Sequence, residues 1–182
     1  MSKIFVKILD ASILPASTMI VAKLIGLYIT VKIFDIKWGI QTISDTLISS
    51  RPIILNTNDI TLVSSYSDLF LLFVMLIGFS WQVIKAVYFH NTHVKPKIIS
   101  RLAIHGLLNL IKSSFEVYKT ATVWLIFLWL TNASIIINIF ANKTEVWIGM
   151  LGLIVSIILS VILLHDASYE IHLSKLKNYN GK

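Results

Sequence analysis

The sequence predicts an all-α integral membrane protein with four transmembrane helices, and composition and hydropathy carry that prediction. Of the 182 residues, 56% are hydrophobic and 14% are charged, whereas soluble domains carry about 25% charged residues. The mean hydropathy is +0.80. Four apolar stretches, at about 11–34, 67–89, 119–141 and 146–165, are each close to the ~20 residues that cross ~30 Å of hydrocarbon. Because lipid offers no hydrogen-bond partners, each stretch is predicted to be a helix, and residues 1–182 to be a single membrane domain.

The distribution of basic residues predicts the orientation of the helices. If the amino terminus is cytoplasmic, that side carries Lys3, Lys7, Lys95, Lys97, Arg101, Lys112, Lys119, Lys175, Lys177 and Lys182. The other side carries only Lys37, Arg51 and Lys143. Because cytoplasmic loops are enriched in Lys and Arg, both termini are predicted to be cytoplasmic, in the inner membrane of a prokaryote. The net charge of +7 then reflects topology and contact with anionic headgroups on the cytoplasmic side, and not binding to nucleic acid.

The connections between the spans carry predictions of their own. Residues 35–66 form an external loop, in which apolar side chains at helical spacing between residues 36 and 47 predict a surface helix. Two β-prone runs around a polar turn within residues 51–64 predict a hairpin. Ser65 and Asp68 have the spacing of a capping box, which places the start of the second span there. Residues 166–182 are predicted to be a cytoplasmic tail.

Residues 97–118 predict an amphipathic helix between the second and third spans. Polar residues recur there every three or four positions and fall within a sector of about 80°. Those expected to dock lipid or a partner are Arg101, His105, Lys112 and Lys119. Because so narrow a polar stripe does not suit a helix surrounded by water, we predict that this helix lies at the headgroup boundary with its basic side chains toward the phosphates.

Small residues repeated at every turn predict two closely packed helix faces. These residues are Thr18, Ala22, Gly26 and Thr30 on the first span, and Gly152, Ser156 and Ser160 on the fourth. Small side chains let two helix backbones approach closely, which favours association where lipid supplies no hydrophobic driving force. The faces indicate packing within the bundle, with copies of the chain or with other membrane subunits.

Polar side chains inside the spans permit two interpretations. Thr131, Ser134 and Asn138 form one stripe on the third span, which either bonds a neighbouring helix or lines a water-filled path. Lys23 lies about 12 Å inside the first span. It is either a fixed positive charge of an anion pathway or a side chain that snorkels to the cytoplasmic phosphates. Because no carboxylate falls inside a predicted span, proton-coupled transport is not predicted.

The histidines suggest a metal site at the cytoplasmic face. The candidate ligands are His90, His93, His165, His172 and Asp166. Imidazoles with a carboxylate can ligate zinc, iron or manganese. The alternative is that the histidines occupy the interface because one edge of the ring stays hydrated. The sequence identifies no cofactor; we expect none, with a divalent metal as the alternative.

The functional prediction is a non-enzymatic membrane subunit. No catalytic residue is identified, because the sequence has no cysteine and no phosphate-binding or nucleophile motif. Such a subunit is either an oligomeric ion or small-solute pathway or a scaffold within a membrane complex. The alternatives are a metal-binding membrane protein or enzyme that uses the histidines, and a lipid-interacting or membrane-insertion helper.

Overall fold

The computed structural model describes residues 3–42, 50–54, 57–88, 104 and 114–180. Four long helices account for most of them: α1 (Lys3–Ile33), α2 (Thr57–Tyr88), α3 (Ser114–Phe140) and α4 (Val146–Asn180). Two strands, β1 (Trp38–Thr42) and β2 (Ser50–Ile54), stand between α1 and α2. All four helices are long and apolar enough to cross a membrane. The protein is therefore a helical bundle of the integral membrane class.

Helix α2 begins ten residues earlier than the sequence predicted. It starts at Thr57 with Asp59 in its first turn, where an acidic side chain interacts favourably with the helix dipole. Residues 57–66 of the predicted external loop are therefore helical, and the capping box at Ser65 and Asp68 is wrong because both residues lie inside α2. The hairpin predicted within residues 51–64 is wrong in its second half, because residues 57–64 belong to α2.

The two strands replace the predicted surface helix. Strand β1 pairs antiparallel with β2, with Trp38 opposite Ile54 and Thr42 opposite Ser50. The prediction of a helix between residues 36 and 47 is thus wrong over Trp38–Thr42, and its remainder from residue 43 lies outside the described residues. Periodicity over so short a run does not separate helix from strand when a partner strand is available.

The other helices also differ from their predicted limits. Helix α1 is continuous from Lys3, with Pro15 inside it, so it begins before the predicted limit of about residue 11. Helix α4 continues to Asn180, through most of the predicted tail. The predicted amphipathic helix over 97–118 lies mainly outside the described residues; Ile104 is helical, and residues from Ser114 belong to α3.

The core of the bundle lies between α2 and α3, each of which packs against all three other helices. Its fully buried side chains include Met75 and Phe79 from α2 and Leu128 and Ile135 from α3. The outward faces are rich in exposed apolar side chains on every helix, as expected for surfaces in contact with lipid. Among the described residues, a polar cluster that joins several helices lies near the turn between α3 and α4.

Candidate functional site: a buried carboxylate at one end of the bundle

Asp68 on α2 is the centre of the polar cluster, and its side chain is 0% exposed. The Lys23 ammonium on α1 donates to its Oδ1 and forms an ion pair with it. Asn138 on α3 donates to Oδ2 at 2.9 Å, and the Thr144 hydroxyl donates to the same oxygen at 2.6 Å. One carboxylate therefore joins three helices and a turn, and its charge is balanced by a side chain that is 33% exposed.

A close approach of α1 to α2 brings Lys23 to the carboxylate. The Ser67 hydroxyl donates to the Lys23 carbonyl at 3.0 Å. One turn further on, a Cβ added to Gly26 would lie 3.0 Å from both the Ser67 carbonyl oxygen and the Phe70 Cβ. A larger residue at position 26 would push the helices apart. The small-residue face of α1 thus sets the distance across which Lys23 reaches Asp68.

Hydrogen bonds to α2 hold the turn that carries Thr144. The hydroxyls of Ser64 and Thr144 are 3.2 Å apart, and the Glu145 amide donates to the Ser65 hydroxyl at 3.0 Å. Asn142 has a left-handed backbone, with φ at 54°, a conformation that asparagine adopts more readily than most residues. The turn is therefore fixed against the side of α2 that presents Asp68.

The distance from the cluster to the lysines near the other end of α2 and α3 is comparable to the thickness of bilayer hydrocarbon. Seventeen residues separate Asp68 from Lys85 on α2, and nineteen separate Asn138 from Lys119 on α3, which is about 25 Å and 28 Å along the two helix axes. Both lengths are close to the ~30 Å of bilayer hydrocarbon. The cluster and these two lysines therefore lie about one hydrocarbon thickness apart along the helices.

The ion pair gives Lys23 a partner that neither interpretation of the sequence included. Its ammonium is bonded to Asp68 on α2, and the choice between a fixed positive charge and snorkelling stays a prediction. The statement that no carboxylate falls inside a span is wrong. Asp68 lies within the apolar segment Asp59–Tyr88, and its charge made it resemble a helix cap in the sequence.

The predicted polar stripe on α3 does not act as a unit. Thr131 is buried, and its hydroxyl donates to the Phe127 carbonyl at 2.9 Å in its own helix. Ser134 is half-buried, and Asn138 binds Asp68. Two of the three side chains are thus engaged in hydrogen bonds within the chain.

Sequence reasoning overlooked Asn132, the most buried amide of α3. It is 1% exposed and donates to the Leu128 carbonyl at 2.9 Å and to the Ser156 hydroxyl on α4 at 2.8 Å. An amide in the middle of a span is itself a signal of contact between helices. The sequence prediction considered only polar residues spaced three or four apart along α3, and Asn132 does not fit that spacing.

The predicted small-residue faces lie within the bundle. Ala22, Gly26 and Thr30 are buried on α1, and Thr18 is half-buried. Gly152 and Ser156 are buried on α4. The half-buried Ser160 accepts a hydrogen bond from Trp129 of α3 at 3.3 Å. These faces bring α1 onto α2 and α4 onto α3.

The residues proposed for metal binding and docking fall into two groups. His90, His93, Arg101, His105 and Lys112 lie outside the described residues. His165, His172 and Lys119 lie on described helices, and both histidines are exposed. Asp166 accepts a hydrogen bond from the Tyr118 hydroxyl at 2.5 Å.

Metal binding stays a prediction. The described part of the chain contains no group of three or more His, Cys, Asp or Glu side chains arranged to hold a metal ion. The proposed site depends on His90 and His93 in addition.

The fold is that of a polytopic membrane protein, and the polar cluster around Asp68 lies near one end of its bundle. Comparison of the chain with protein-family models, curated proteins and solved structures gives no match.

Proposed function

We propose that the protein is a non-enzymatic membrane subunit that acts as a scaffold, through contacts with copies of itself or with other membrane proteins. The observation that carries this proposal is the internal use of the polar side chains. Lys23 and Asn138, two of the residues expected to line a pathway, both bind the carboxylate of Asp68. A fixed positive charge that is already paired with a carboxylate attracts anions weakly.

The packing toward the other end of the bundle supports the same choice. Leu72, Met75, Phe79 and Leu128 are at most 1% exposed, and apolar side chains packed so closely disfavour a polar route along the middle of the bundle. A scaffold requires surfaces that contact other membrane proteins, and the exposed apolar faces of the helices are such surfaces.

The proposal includes the orientation inferred from the basic residues. Both termini face the cytoplasm, and the turn between α3 and α4 faces the opposite side. The basic residues between α2 and α3 then meet anionic headgroups at the cytoplasmic surface, where each Lys or Arg contributes roughly 1 kcal/mol of attraction.

The mass of the particle and the flux of solutes test the proposal together. After gentle solubilisation in a non-ionic detergent, light scattering should give a protein mass above the 20.6 kDa of one chain, and liposomes should show no flux of small ions. A monomer isolated without other subunits would contradict the scaffold.

A flux would contradict the proposal if it depends on the predicted stripe. Thr131→Val serves as the probe, and Thr122→Val is its matched control. Both hydroxyls bond a carbonyl four residues earlier on α3, but Thr122 is exposed. A flux that falls with Thr131→Val and not with Thr122→Val would establish the pathway version instead.

A further inference from the structure

A cavity of about 430 Å³ opens between the start of α4 and the first part of α2. Its walls include Glu145, Trp147 and Tyr66, with the Thr61 hydroxyl at the side and Leu62 in the apolar part of the lining. Sites for small molecules usually have volumes of about 300–1,000 Å³ and combine apolar walls with a few polar groups. This cavity has that size and that composition.

The charge of the cavity comes from Glu145. Its side chain is exposed, and in the part of the chain that the structure describes its carboxylate forms no ion pair. Its backbone is held in place, because its amide donates to the buried Ser65 hydroxyl. The cavity therefore presents a negative charge, on an anchored stretch of backbone, that a ligand is able to neutralise.

Two aromatic rings complete the recognition surface. Trp147 is 51% exposed and Tyr66 is 46% exposed. The Tyr66 ring is oriented by Phe34, with the ring centroids 5.1 Å apart. Tryptophan and tyrosine rings attract cations through their negative faces, and such rings recognise quaternary ammonium groups in many proteins. A carboxylate beside two such rings favours an organic ammonium ion over an anion or a neutral solute.

The depth of the cavity identifies the source of that ion. Glu145 immediately precedes the apolar segment Val146–His172, so the cavity opens at the level of the lipid headgroups. Tryptophan and tyrosine are enriched at that level. We propose that the cavity binds the ammonium group of a zwitterionic phospholipid, with Glu145 as the counter-ion and with Tyr66 and Trp147 as the aromatic walls. This site does not depend on whether the protein is a scaffold or a pathway.

Lipid titration of the whole protein tests the site. The full chain is purified in a non-ionic maltoside detergent, freed of lipid, and titrated with phosphatidylethanolamine or phosphatidylglycerol of identical acyl chains, with bound lipid counted by native mass spectrometry. Because the basic residues on the cytoplasmic side are expected to bind phosphatidylglycerol, the readout is the part of phosphatidylethanolamine binding that depends on Glu145. The wild type should bind phosphatidylethanolamine roughly fivefold more tightly than Glu145→Gln, which is the scale of one exposed cation–aromatic contact with a neighbouring charge. Equal affinity of the two proteins for phosphatidylethanolamine would overturn the proposal.

Variants locate the selectivity. Glu145→Gln should weaken binding of phosphatidylethanolamine and should not weaken binding of phosphatidylglycerol. The matched control is Asp35→Asn, which removes an exposed carboxylate that is not part of the cavity lining and keeps a residue type suited to its φ of 48°. Trp147→Leu should weaken binding of phosphatidylethanolamine, and Trp147→Phe should retain most of it. A loss of phosphatidylethanolamine binding in Asp35→Asn as large as in Glu145→Gln would contradict the assignment.

A soluble competitor separates the lipid from a free amine. Choline chloride should displace phosphatidylethanolamine only at concentrations far above those of the lipid, because it lacks the acyl chains that hold the headgroup at the cavity. If choline binds in a Glu145-dependent manner and phosphatidylethanolamine binding does not depend on Glu145, the ligand is a soluble amine and the lipid proposal fails.

Discussion

Asp68 shows how one buried charge organises this bundle. Removing an ionised carboxylate from water is costly unless a counter-ion and hydrogen bonds replace the water. Here Lys23 supplies the opposite charge, and Asn138 and Thr144 supply neutral donors to the second oxygen. Because the donors come from separate parts of the chain, the carboxylate is satisfied only when the bundle is assembled.

The first prediction concerns the two charges separately. Lys23→Met should lower the free energy of unfolding by about 3 kcal/mol, since it leaves a fully buried carboxylate without its counter-ion. Asp68→Asn should cost less, about 2 kcal/mol, because the remaining ammonium is 33% exposed and regains some hydration. Unfolding equilibria in mixed micelles measure both values.

The double variant and a second lysine provide the controls for that prediction. Lys23→Met with Asp68→Asn should be more stable than Lys23→Met alone, because neither charge is then left unpaired. Lys32→Met removes an exposed lysine from the same helix and should change stability by less than about 0.5 kcal/mol. If the losses of unfolding free energy in Lys23→Met and Asp68→Asn add up in the double variant, Lys23 and Asp68 do not interact.

At the scale of elements, glycine determines how closely α2 and α3 approach. A Cβ added to Gly78 would overlap the Trp124 ring, and that ring is 4% exposed. A Cβ added to Gly149 would meet the Cδ1 of Ile139, the end of a half-buried, flexible side chain. Replacing glycine with alanine therefore meets a buried ring at position 78 on α2 and a movable side-chain end at position 149 on α4.

The second prediction compares these two glycines. Gly78→Ala should destabilise the bundle by about 1–3 kcal/mol, because overpacking in the core exceeds the gain in helix propensity. Gly149→Ala should be neutral or slightly stabilising, since Ile139 is able to change rotamer. Thermal unfolding followed by tryptophan fluorescence distinguishes them. If Gly78→Ala is the more stable variant, Trp124 does not pack on α2 as described.

Element boundaries show what the sequence was able to predict. The four apolar helices follow from hydropathy alone, because the thickness of the bilayer sets their length. The start of α2 does not follow from it, because Ser64 and Ser65 are polar in the sequence and become satisfied only by Thr144 and Glu145, some eighty residues later. The partnership of Lys23 and Asp68 was missed for the same reason, since a contact between helices leaves no local pattern.

At the scale of the whole molecule, the third prediction concerns topology. Asn58 stands at the start of α2, and Asn109 follows that helix in the sequence, so one membrane crossing separates them. Reporter enzymes fused at the two positions should be active on opposite sides, with Asn109 and both termini cytoplasmic. Reporters at Asn58 and Asn109 on the same side would mean that α2 does not cross the bilayer.

The helices of this bundle also end at different heights. Beyond the polar cluster, α1 continues for ten residues to Ile33 and α2 for eleven residues to Thr57, each about 15 Å. Helix α3 ends two residues after Asn138, and the turn that follows exposes Lys143 and Glu145.

A hydrocarbon slab of uniform thickness does not match both α1 and the turn between α3 and α4. It would place either exposed apolar side chains of α1, such as Tyr28 and Ile33, in water or the charges of the turn in hydrocarbon. Hydrophobic mismatch of this kind is relieved by helix tilt or by local thinning of the membrane. We therefore expect the lipid beside the turn to be thinner than the lipid beside α1.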